Sequence, residues 1–320
     1  MEPVRVKVWL PIRSLGWVNS YILGDTVIDP GMFTSRSILD LVRGLRGHMD
    51  PCRIGSVIVT HFHVDHSTAA LLLSQLANPR LYIGRRDLEV IRGGVDKYIG
   101  GALELFKHNG MPGTEIEEIL KTHPALRLRE VYEEASSLEW TPLSHGDHIS
   151  IGGEVLKVIE APGHTPGHIL LHSRDGWMIV GDTLLPGITP HVTIHDWNTD
   201  PLKDYLNTLK IIEKLSPSKA YPGHRDPITS PAERAREIIR HHDSRLNEII
   251  ELLKKNGPMT GYEIAKKIKW RTRYQSWAEY PHPEKFFAMG EALAHLKRLE
   301  EAGLVTHEEK GGTWTWRLEK

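Results

Sequence analysis

The sequence predicts a layered α/β protein with a helical insertion and a separate C-terminal region. Three observations lead to this prediction. Strand-like and helix-like segments alternate through the first 230 residues, with the strands concentrated in two halves, 4–83 and 154–221. Charged helical segments interrupted by glycines fill residues 85–138 between these halves. From residue 231 the pattern changes to helices followed by a hairpin. Alternating strands and helices are typical of sheets covered by helices.

The first half begins with a meander of short strands. β-Branched and alternating apolar residues predict its strands at 4–10, 18–23, 26–28, 56–60 and 80–83. Apolar residues at helical spacing predict an amphipathic helix over 35–45. A second helix is predicted over 67–76, with Ser67 as its N-cap.

A second strand-rich region follows the insertion. Its strands are predicted at 155–159, 168–172, 177–180 and 219–221. An amphipathic helix is predicted over 201–215. The stretch 85–138 between the halves is expected to be a helical cap outside the sheets, because glycine pairs break it into short charged helices.

The C-terminal region has its own element order. Helices are predicted over 232–255, 260–268 and 286–302, and a hairpin follows over 303–307 and 313–317. Three helices followed by a two-stranded wing is the order of a winged helix, a relative of the helix-turn-helix. We therefore predict a catalytic domain over 1–230 and a winged-helix-like domain over 231–320.

Composition excludes several classes of protein. The chain has 320 residues, of which 40% are hydrophobic and 25% charged, and its net charge of −1 gives no general attraction to nucleic acid or anionic membranes. Cys52 is the one cysteine, so no internal disulfide can form, which suits a reducing compartment. The sequence contains neither a signal-peptide pattern nor an apolar run long enough to span a membrane. We expect a cytoplasmic protein without a membrane partner.

The strongest motif follows the apolar strand at 56–60. His61 and His63 are two residues apart, so strand-like backbone would point both rings to the same side. Asp65 and His66 follow on the next turn, where they can serve a second ion nearby. Imidazoles and carboxylates suit zinc, iron or manganese better than calcium or magnesium. A polar helix start with coincidental histidines is the alternative.

Three later motifs each place a potential ligand directly after a predicted strand. They are Pro-Gly-His at His164, Gly-Asp at Asp182 and Pro-Gly-His at His224. Each motif alone is a common turn. Their recurrence at successive strand ends favours one shared site.

Together these motifs resemble those of the metallo-β-lactamase superfamily, which has a His-x-His-x-Asp-His motif and three later single ligands. The resemblance covers residues 1–230 and implies an αββα sandwich of two mixed sheets between helices. It implies two divalent ions, with zinc preferred and iron or manganese as alternatives. By resemblance, His61, His63 and His164 hold the first ion; Asp65, His66 and His224 hold the second; and Asp182 bridges both.

Differences between this sequence and individual branches of the superfamily narrow the choice of branch. True β-lactamases usually lack the bridging Asp, flavodiiron proteins carry an acid where His63 stands, and the nuclease branch needs a larger inserted domain. Glyoxalase-II-type thioesterases share the full ligand set but carry a different C-terminal domain. The combination with a winged helix is similar to LACTB2-like proteins, a group that includes an RNA-cleaving member.

This ligand set implies hydrolysis by a hydroxide held between two ions about 3.5–4 Å apart. Asp65 is expected to orient the hydroxide, and His191 either donates to the oxyanion or protonates the leaving group. The alternative for His191 is a solvated loop histidine. His168 and His195 are expected to be structural or on the surface. Four cap residues could bind an anionic substrate, and the alternative is that they are simply solvated. They are Arg85, Arg86, Lys97 and Tyr98.

Three functions follow. The first is hydrolysis of a small-molecule ester, thioester, lactone or phosphodiester. The second is cleavage of single-stranded RNA at the same metal site, with the basic and aromatic stretch 266–274 holding the strand. The third, which the complete ligand set disfavours, is a metal-sensing regulator that binds DNA through the winged helix. A homodimer is expected.

Overall fold

The computed structural model describes residues 1–12 and 15–319. Its strands are β1 (Val4–Trp9), β2 (Trp17–Leu23), β3 (Thr26–Ile28), β4 (Ser56–Val59), β5 (Arg80–Gly84), β6 (Trp140–Leu143), β7 (His148–Ile151), β8 (Glu154–Glu160), β9 (Ile169–Ser173), β10 (Trp177–Gly181), β11 (Lys219–Pro222), β12 (Met259–Thr260), β13 (Val305–Lys310) and β14 (Thr313–Leu318). Its α-helices are α1 (Ser35–Arg46), α2 (Val64–Ser67), α3 (Ala70–Ala77), α4 (Arg85–Gly93), α5 (Val95–His108), α6 (Gly113–Thr122), α7 (Pro124–Arg127), α8 (Arg129–Ser136), α9 (Pro201–Leu215), α10 (Pro231–Asn256), α11 (Gly261–Lys267) and α12 (His282–Glu301).

Two mixed sheets form the α/β layers that the sequence predicts. One contains β1 to β6 in chain order, with an antiparallel β1–β2–β3 meander and parallel pairing from β3 to β6. The other has the order β11-β10-β9-β8-β7, in which only β10 and β11 pair in parallel. The outer strand β6 belongs to the first sheet, so the helical insertion lies between two neighbouring strands of one sheet.

The sheets pack face to face, as alternation along their strands requires. Tyr21 and Ile58 of the first sheet share one buried cluster with Val158 and Leu171 of the second. The opposite face of the first sheet carries Val8, in a separate buried cluster that also includes the helical residues Leu41 and Leu45. Each sheet is therefore buried on both faces, and its strands contain long apolar runs.

The insertion agrees with the sequence prediction, but the elements at its C-terminal side were missed. Helices α4 to α8 occupy the predicted cap. Strands β6 and β7 were not predicted, because each is only four residues long and alternates with exposed polar positions. Among the described residues, no helix is both long and apolar enough to cross a membrane.

The predicted N-cap role of Ser67 is wrong. Ser67 is the last residue of the short helix α2, and α3 begins at Ala70 without a side-chain cap. The Ser67 hydroxyl instead donates to the carbonyl oxygens of Phe62, at 2.6 Å, and His63, at 3.0 Å. The backbone thus turns directly after the His-x-His segment, and the serine fastens this turn.

The C-terminal residues form a helical unit with a three-stranded sheet of order β12-β14-β13. Thr260 and Glu263 form a capping box at the start of α11. Helix α12 begins at His282, four residues before the prediction, with a proline in its first turn. It is buried on most of its surface and contacts α5, α6, α9 and α10.

Polar contacts tie this unit to the rest of the chain. The indole N–H of Trp316 donates to Asn109 Oδ1 in α5's C-cap position at 2.7 Å, and both residues are fully buried. Lys285 pairs with Glu115 of α6 at 2.9 Å. Buried partners of this kind are costly to separate, so α12 and β14 are fixed against the cap.

Candidate metal centre

The seven predicted residues converge at one end of the sandwich. Four loops deliver them, each directly after β4, β8, β10 or β11. Their nitrogen and oxygen atoms form three overlapping groups whose members lie within 4.8 Å of one another. These groups are His61, His63 and His164; His61, His66 and Asp182; and Asp65, His66 and His224.

The first group consists of three imidazoles. His63 Nδ1 and His164 Nε2 lie 3.1 Å apart, and the ring centroids of His61 and His63 lie 4.7 Å apart. Two ligands of one tetrahedral zinc ion lie about 3.3 Å apart, because each bond is about 2.0–2.1 Å long. The spacing of these nitrogens therefore suits one ion.

The second group adds a carboxylate. Asp65 Oδ2 lies 3.3 Å from His224 Nε2 and 3.9 Å from His66 Nε2. These distances also match ligands around one ion.

Asp182 lies between the two groups. Its Oδ1 is 3.5 Å from His66 Nε2, and its Oδ2 is 3.3 Å from His224 Nε2 and 3.9 Å from His164 Nε2. One carboxylate thus reaches nitrogens of both groups, as a bridging ligand must. The adjacent Gly223 makes this possible, because a Cβ there would collide with Asp182 Oδ1 and the His66 ring.

Four of the five predicted histidine ligands have the outer ring nitrogen held by a contact with the protein. His61 Nδ1 lies 3.1 Å from Thr60 Oγ1, and His66 Nδ1 lies 2.9 Å from Asp29 Oδ2. His164 Nδ1 donates to the His191 carbonyl at 2.9 Å, and His224 Nδ1 donates to the Trp17 carbonyl at 2.8 Å. Such outer contacts fix the tautomer and leave Nε2 free for a metal.

The inward-facing atoms fit a metal. The buried atoms without a hydrogen-bond partner among the described residues include His61 Nε2, His66 Nε2, His224 Nε2 and Asp182 Oδ1. Buried polar atoms are normally paired, so four unpaired ones in these overlapping groups need another explanation. Bound cations provide it, because deprotonated imidazoles and carboxylates offer lone pairs to a metal.

The pKa shifts also distinguish the three-histidine group from the group that contains Asp65. Burial, reinforced by neighbouring imidazoles, holds the pKa of His61 and His63 well below the usual range. Burial also opposes protonation of His224, but the Asp182 and Asp65 carboxylates outweigh it and raise its pKa to about 10. The second group therefore has a strongly negative surrounding, which attracts a cation.

Two buried acids that support the ligands were missed by the sequence analysis. Asp29 accepts from the Thr60 N–H and hydroxyl, each at 2.7 Å, and contacts His66. Asp87 accepts from the Phe62 N–H at 2.8 Å and from Gly167 N–H at 2.6 Å. Asp29 thus supports the His66 side of the motif, while Asp87 joins the motif to the loop that carries His164. Asp29 directly follows β3, and Asp87 lies shortly after β5. This position near a strand end was the one signal of their role in the sequence.

His191 is half-buried at the edge of the centre. Its ring centroid lies 4.6 Å from that of His164, 5.6 Å from that of His63 and 4.2 Å from that of Phe287. The structure thus brings this predicted residue to the ligands, beside the three-histidine group.

The other predicted histidines have structural contacts. His168 is buried, stacks on His61 and accepts from the Asp182 N–H at 3.1 Å, so it positions the bridging residue. His195 is half-buried against Tyr98, with ring centroids 3.8 Å apart. Tyr98 also contacts Phe62 edge to face, whereas the remaining cap candidates, Arg85, Arg86 and Lys97, are exposed.

A sandwich of two sheets that gathers His and Asp donors at one end defines a class of protein, the metal-dependent hydrolases. The family model described as "Metallo-beta-lactamase superfamily" matches residues 15–224, which include all seven donors, and the chain belongs to this superfamily.

Similar proteins extend over nearly the whole chain. "Probable metallo-hydrolase YqjP" of Bacillus subtilis is 27% identical and covers 98% of this chain and 96% of its own. The Drosophila melanogaster "Beta-lactamase-like protein 2 homolog" is 24% identical over 91% of this chain and 84% of its own. The crystal structure of "metallo-beta-lactamase family protein TTHA1429" from Thermus thermophilus has a TM-score of 0.81 and 24% identity, with coverage of 99% and 98%. The fold of that structure therefore includes the C-terminal unit.

Proposed function

We propose that this hydrolase works with two divalent ions, zinc in the first instance, held by the seven converging residues. The observation that carries the proposal is the set of unpartnered buried atoms on His61, His66, His224 and Asp182, which lie in the overlapping donor groups. Asp182 would bridge the ions, and the remaining donors divide into a three-histidine group and an Asp65 group.

Two ions bound here would lower the pKa of water to give a nucleophile at neutral pH and would stabilise negative charge on the substrate oxygen. The protein's own contribution is orientation. Asp65 Oδ2 lies 3.3 Å from His224 Nε2 at the centre and can align the attacking water by its proton. Burial and the neighbouring His164 ring hold the pKa of His191 well below its usual range, so the ring is neutral. Since His164 engages only the backbone carbonyl of His191, its ring N–H can donate a hydrogen bond to the developing oxyanion.

The substrate we propose is a small ester, thioester, lactone or phosphodiester. A cavity of about 270 Å³ has a lining that includes Thr189, Trp270, Tyr280 and Phe287. Phe287 also packs on His191, so this cavity lies beside the centre. The aromatic side chains of this otherwise polar cavity can hold a small organic group attached to the scissile bond.

Single-stranded RNA is the second candidate substrate. Trp270 and Arg271 line the same cavity, and the lysines nearby on the chain, Lys266, Lys267 and Lys269, are exposed. Aromatic side chains beside basic ones can stack bases and hold phosphates. Glu284 and Glu291 also line the cavity and would repel phosphates, which is why a small substrate remains our first proposal.

We propose further that residues 231–320 are a winged-helix-like domain that walls the cleft. In a DNA-binding helix-turn-helix the second helix enters the groove and needs an exposed face. Helix α12 is buried along most of its length, which weighs against a DNA-binding regulator. Homodimer formation and a reducing, cytoplasmic compartment remain predictions from the sequence.

A substrate panel tests the proposal. Zinc-loaded protein would be offered an aryl ester, a thioester, a lactone, bis(p-nitrophenyl) phosphate and end-labelled single-stranded RNA. We expect hydrolysis of at least one small substrate, loss of that activity in His63→Ala, and retention in His145→Ala, a matched variant of an exposed histidine. RNA cleavage alone would favour the second candidate. No hydrolysis of any substrate by protein confirmed to hold two ions would overturn both.

A further inference from the structure

A second histidine cluster lies outside the centre, between α10 and α12. His241 and His242 on α10 and Glu291 on α12 offer ligand atoms within 4.8 Å of one another. His242 is fully buried, and Glu291 is 8% exposed. None of these residues belongs to the seven that form the centre.

A hydrogen-bond relay fixes the tautomer of His242. His295 Nδ1 lies 2.7 Å from the Glu291 backbone carbonyl, which can only accept, so His295 carries its proton there. Its Nε2 is then an acceptor, and it lies 3.1 Å from His242 Nδ1, which must donate. The lone pair of His242 is consequently on Nε2. Metal-binding histidines are commonly prepared by an outer hydrogen bond of this kind.

One atom of the cluster is buried without a partner. His242 Nε2 has no hydrogen-bond partner among the described residues, and Glu291 lines the neighbouring cavity. Burial raises the pKa of Glu291 to about 7, although Arg245 opposes this shift. A buried imidazole nitrogen without a partner is unfavourable, and a cation bound between His242 and Glu291 would satisfy it.

The local charge is mixed. Arg245, Arg271 and Arg234 act on His241, and Arg245 pairs through Nη1 with Glu248 at 2.9 Å. Glu291 supplies the negative charge of the site once its carboxyl is ionised. Glu291 also lines the 270 Å³ cavity, which gives an ion an entry path and leaves room for a water ligand.

We infer that His241, His242 and Glu291 form a third divalent-cation site, selective for zinc over magnesium by its two imidazoles and one carboxylate. The ion joins α10 to α12. Phe287 lies one helical turn before Glu291, and its ring packs on His191, so occupancy of the site fixes one wall of the cleft. The site is separate from the proposed catalytic centre, and its test does not depend on hydrolysis.

Zinc content measures the site directly. Wild-type protein, Glu291→Gln and His241→Ala would be saturated with Zn²⁺, dialysed and analysed by mass spectrometry. His172→Ala, which removes a half-buried histidine elsewhere, is the matched control. We expect Glu291→Gln and His241→Ala each to hold one zinc ion fewer per chain than wild type and His172→Ala. The comparison holds whatever the catalytic centre contains, because its ligands are unchanged.

Equal zinc content in wild type and either variant would overturn the site. Circular dichroism would confirm that the variants fold. Should one of them fail to fold, anomalous diffraction from zinc-soaked wild-type crystals decides the matter: a peak beside His242 Nε2 and the Glu291 carboxylate supports the site, and its absence there overturns it.

Discussion

The candidate metal centre and the α10–α12 cluster place histidine in similar hydrogen-bonded settings but are assembled differently. In both, an outer hydrogen bond fixes one imidazole nitrogen and leaves the other unpaired: His66 is held by Asp29, and His242 is held by His295. The centre collects its donors from four loops that each follow a strand. The cluster collects its donors from the middle of two long helices.

This difference determines what each region can do. Loops at strand ends present donors to an open cleft, where a substrate can approach. Helix faces present donors to a packed interface, where an ion would mainly fasten two elements. The comparison therefore predicts that damage to the centre removes activity, whereas damage to the C-terminal unit changes stability or binding. The following changes test that division, beginning with the largest expected effect.

Replacing the bridging carboxylate should have the largest effect. Asp182→Ala removes the group that reaches both ligand sets. We expect kcat/KM to fall by at least about 10²-fold, the smallest loss typical when one electrostatic stabiliser of a transition state is removed. Steady-state hydrolysis of the best substrate, with zinc content measured in parallel, checks this. Full activity in Asp182→Ala would contradict the expectation that damage to the centre removes activity.

His191→Ala should reduce turnover without emptying the centre. We expect kcat to fall about 10²-fold for good and poor leaving groups alike, because removing one hydrogen-bond donor to a developing oxyanion costs about that much. A loss confined to poor leaving groups, and absent for a nitrophenyl group, would show that His191 protonates the leaving group instead. No loss for either would show that His191 is a solvated loop residue.

Asp29→Asn should weaken metal binding more than it weakens the fold. Asn cannot hold the His66 Nδ1 proton as a carboxylate does, and outer-ligand changes of this type cost about 10- to 100-fold in metal affinity. Competition with a chelator would measure the loss. Asp96→Asn, at an exposed acid, is the control and should leave the affinity unchanged. Indistinguishable affinities for the two variants would show that Asp29 does not position His66.

Trp316→Phe should have the smallest effect, confined to stability. The change leaves buried Asn109 Oδ1 without its donor, which costs about 1–3 kcal/mol of the free energy of unfolding. Urea unfolding of Trp316→Phe and of the half-buried control Trp314→Phe would measure it. We expect a larger loss for the first and unchanged zinc content for both. Equal losses would mean that this contact does not fasten the C-terminal unit.

The sequence predicts the candidate metal ligands better than it predicts the residues and elements that hold them in place. Each predicted donor follows a strand, and strand ends are readable because apolar runs stop at Gly, Pro or His. The structure gathers all seven donors and places His191 beside them. Element boundaries were less predictable, as β6 and the misplaced N-cap at Ser67 illustrate.

Helix-interior histidines gave no local signal, and the buried acids gave only their position shortly after a strand. The supporting role of Asp29 and Asp87 could not be predicted, because it depends on donors from other loops. The His242–His295 contact joins residues more than fifty positions apart, on helices whose patterns predict only packing. Relations of this kind appear only when tertiary structure brings the elements together.

The central claim is that the seven converging donors hold two ions. Anomalous diffraction at the zinc edge from crystals of zinc-loaded protein tests it most directly. We predict two peaks about 3.5–4 Å apart, the usual separation in dinuclear hydrolytic sites. One should adjoin His61, His63 and His164, the other Asp65, His66 and His224, and Asp182 should contact both. A single peak, or two peaks without Asp182 between them, would contradict the account.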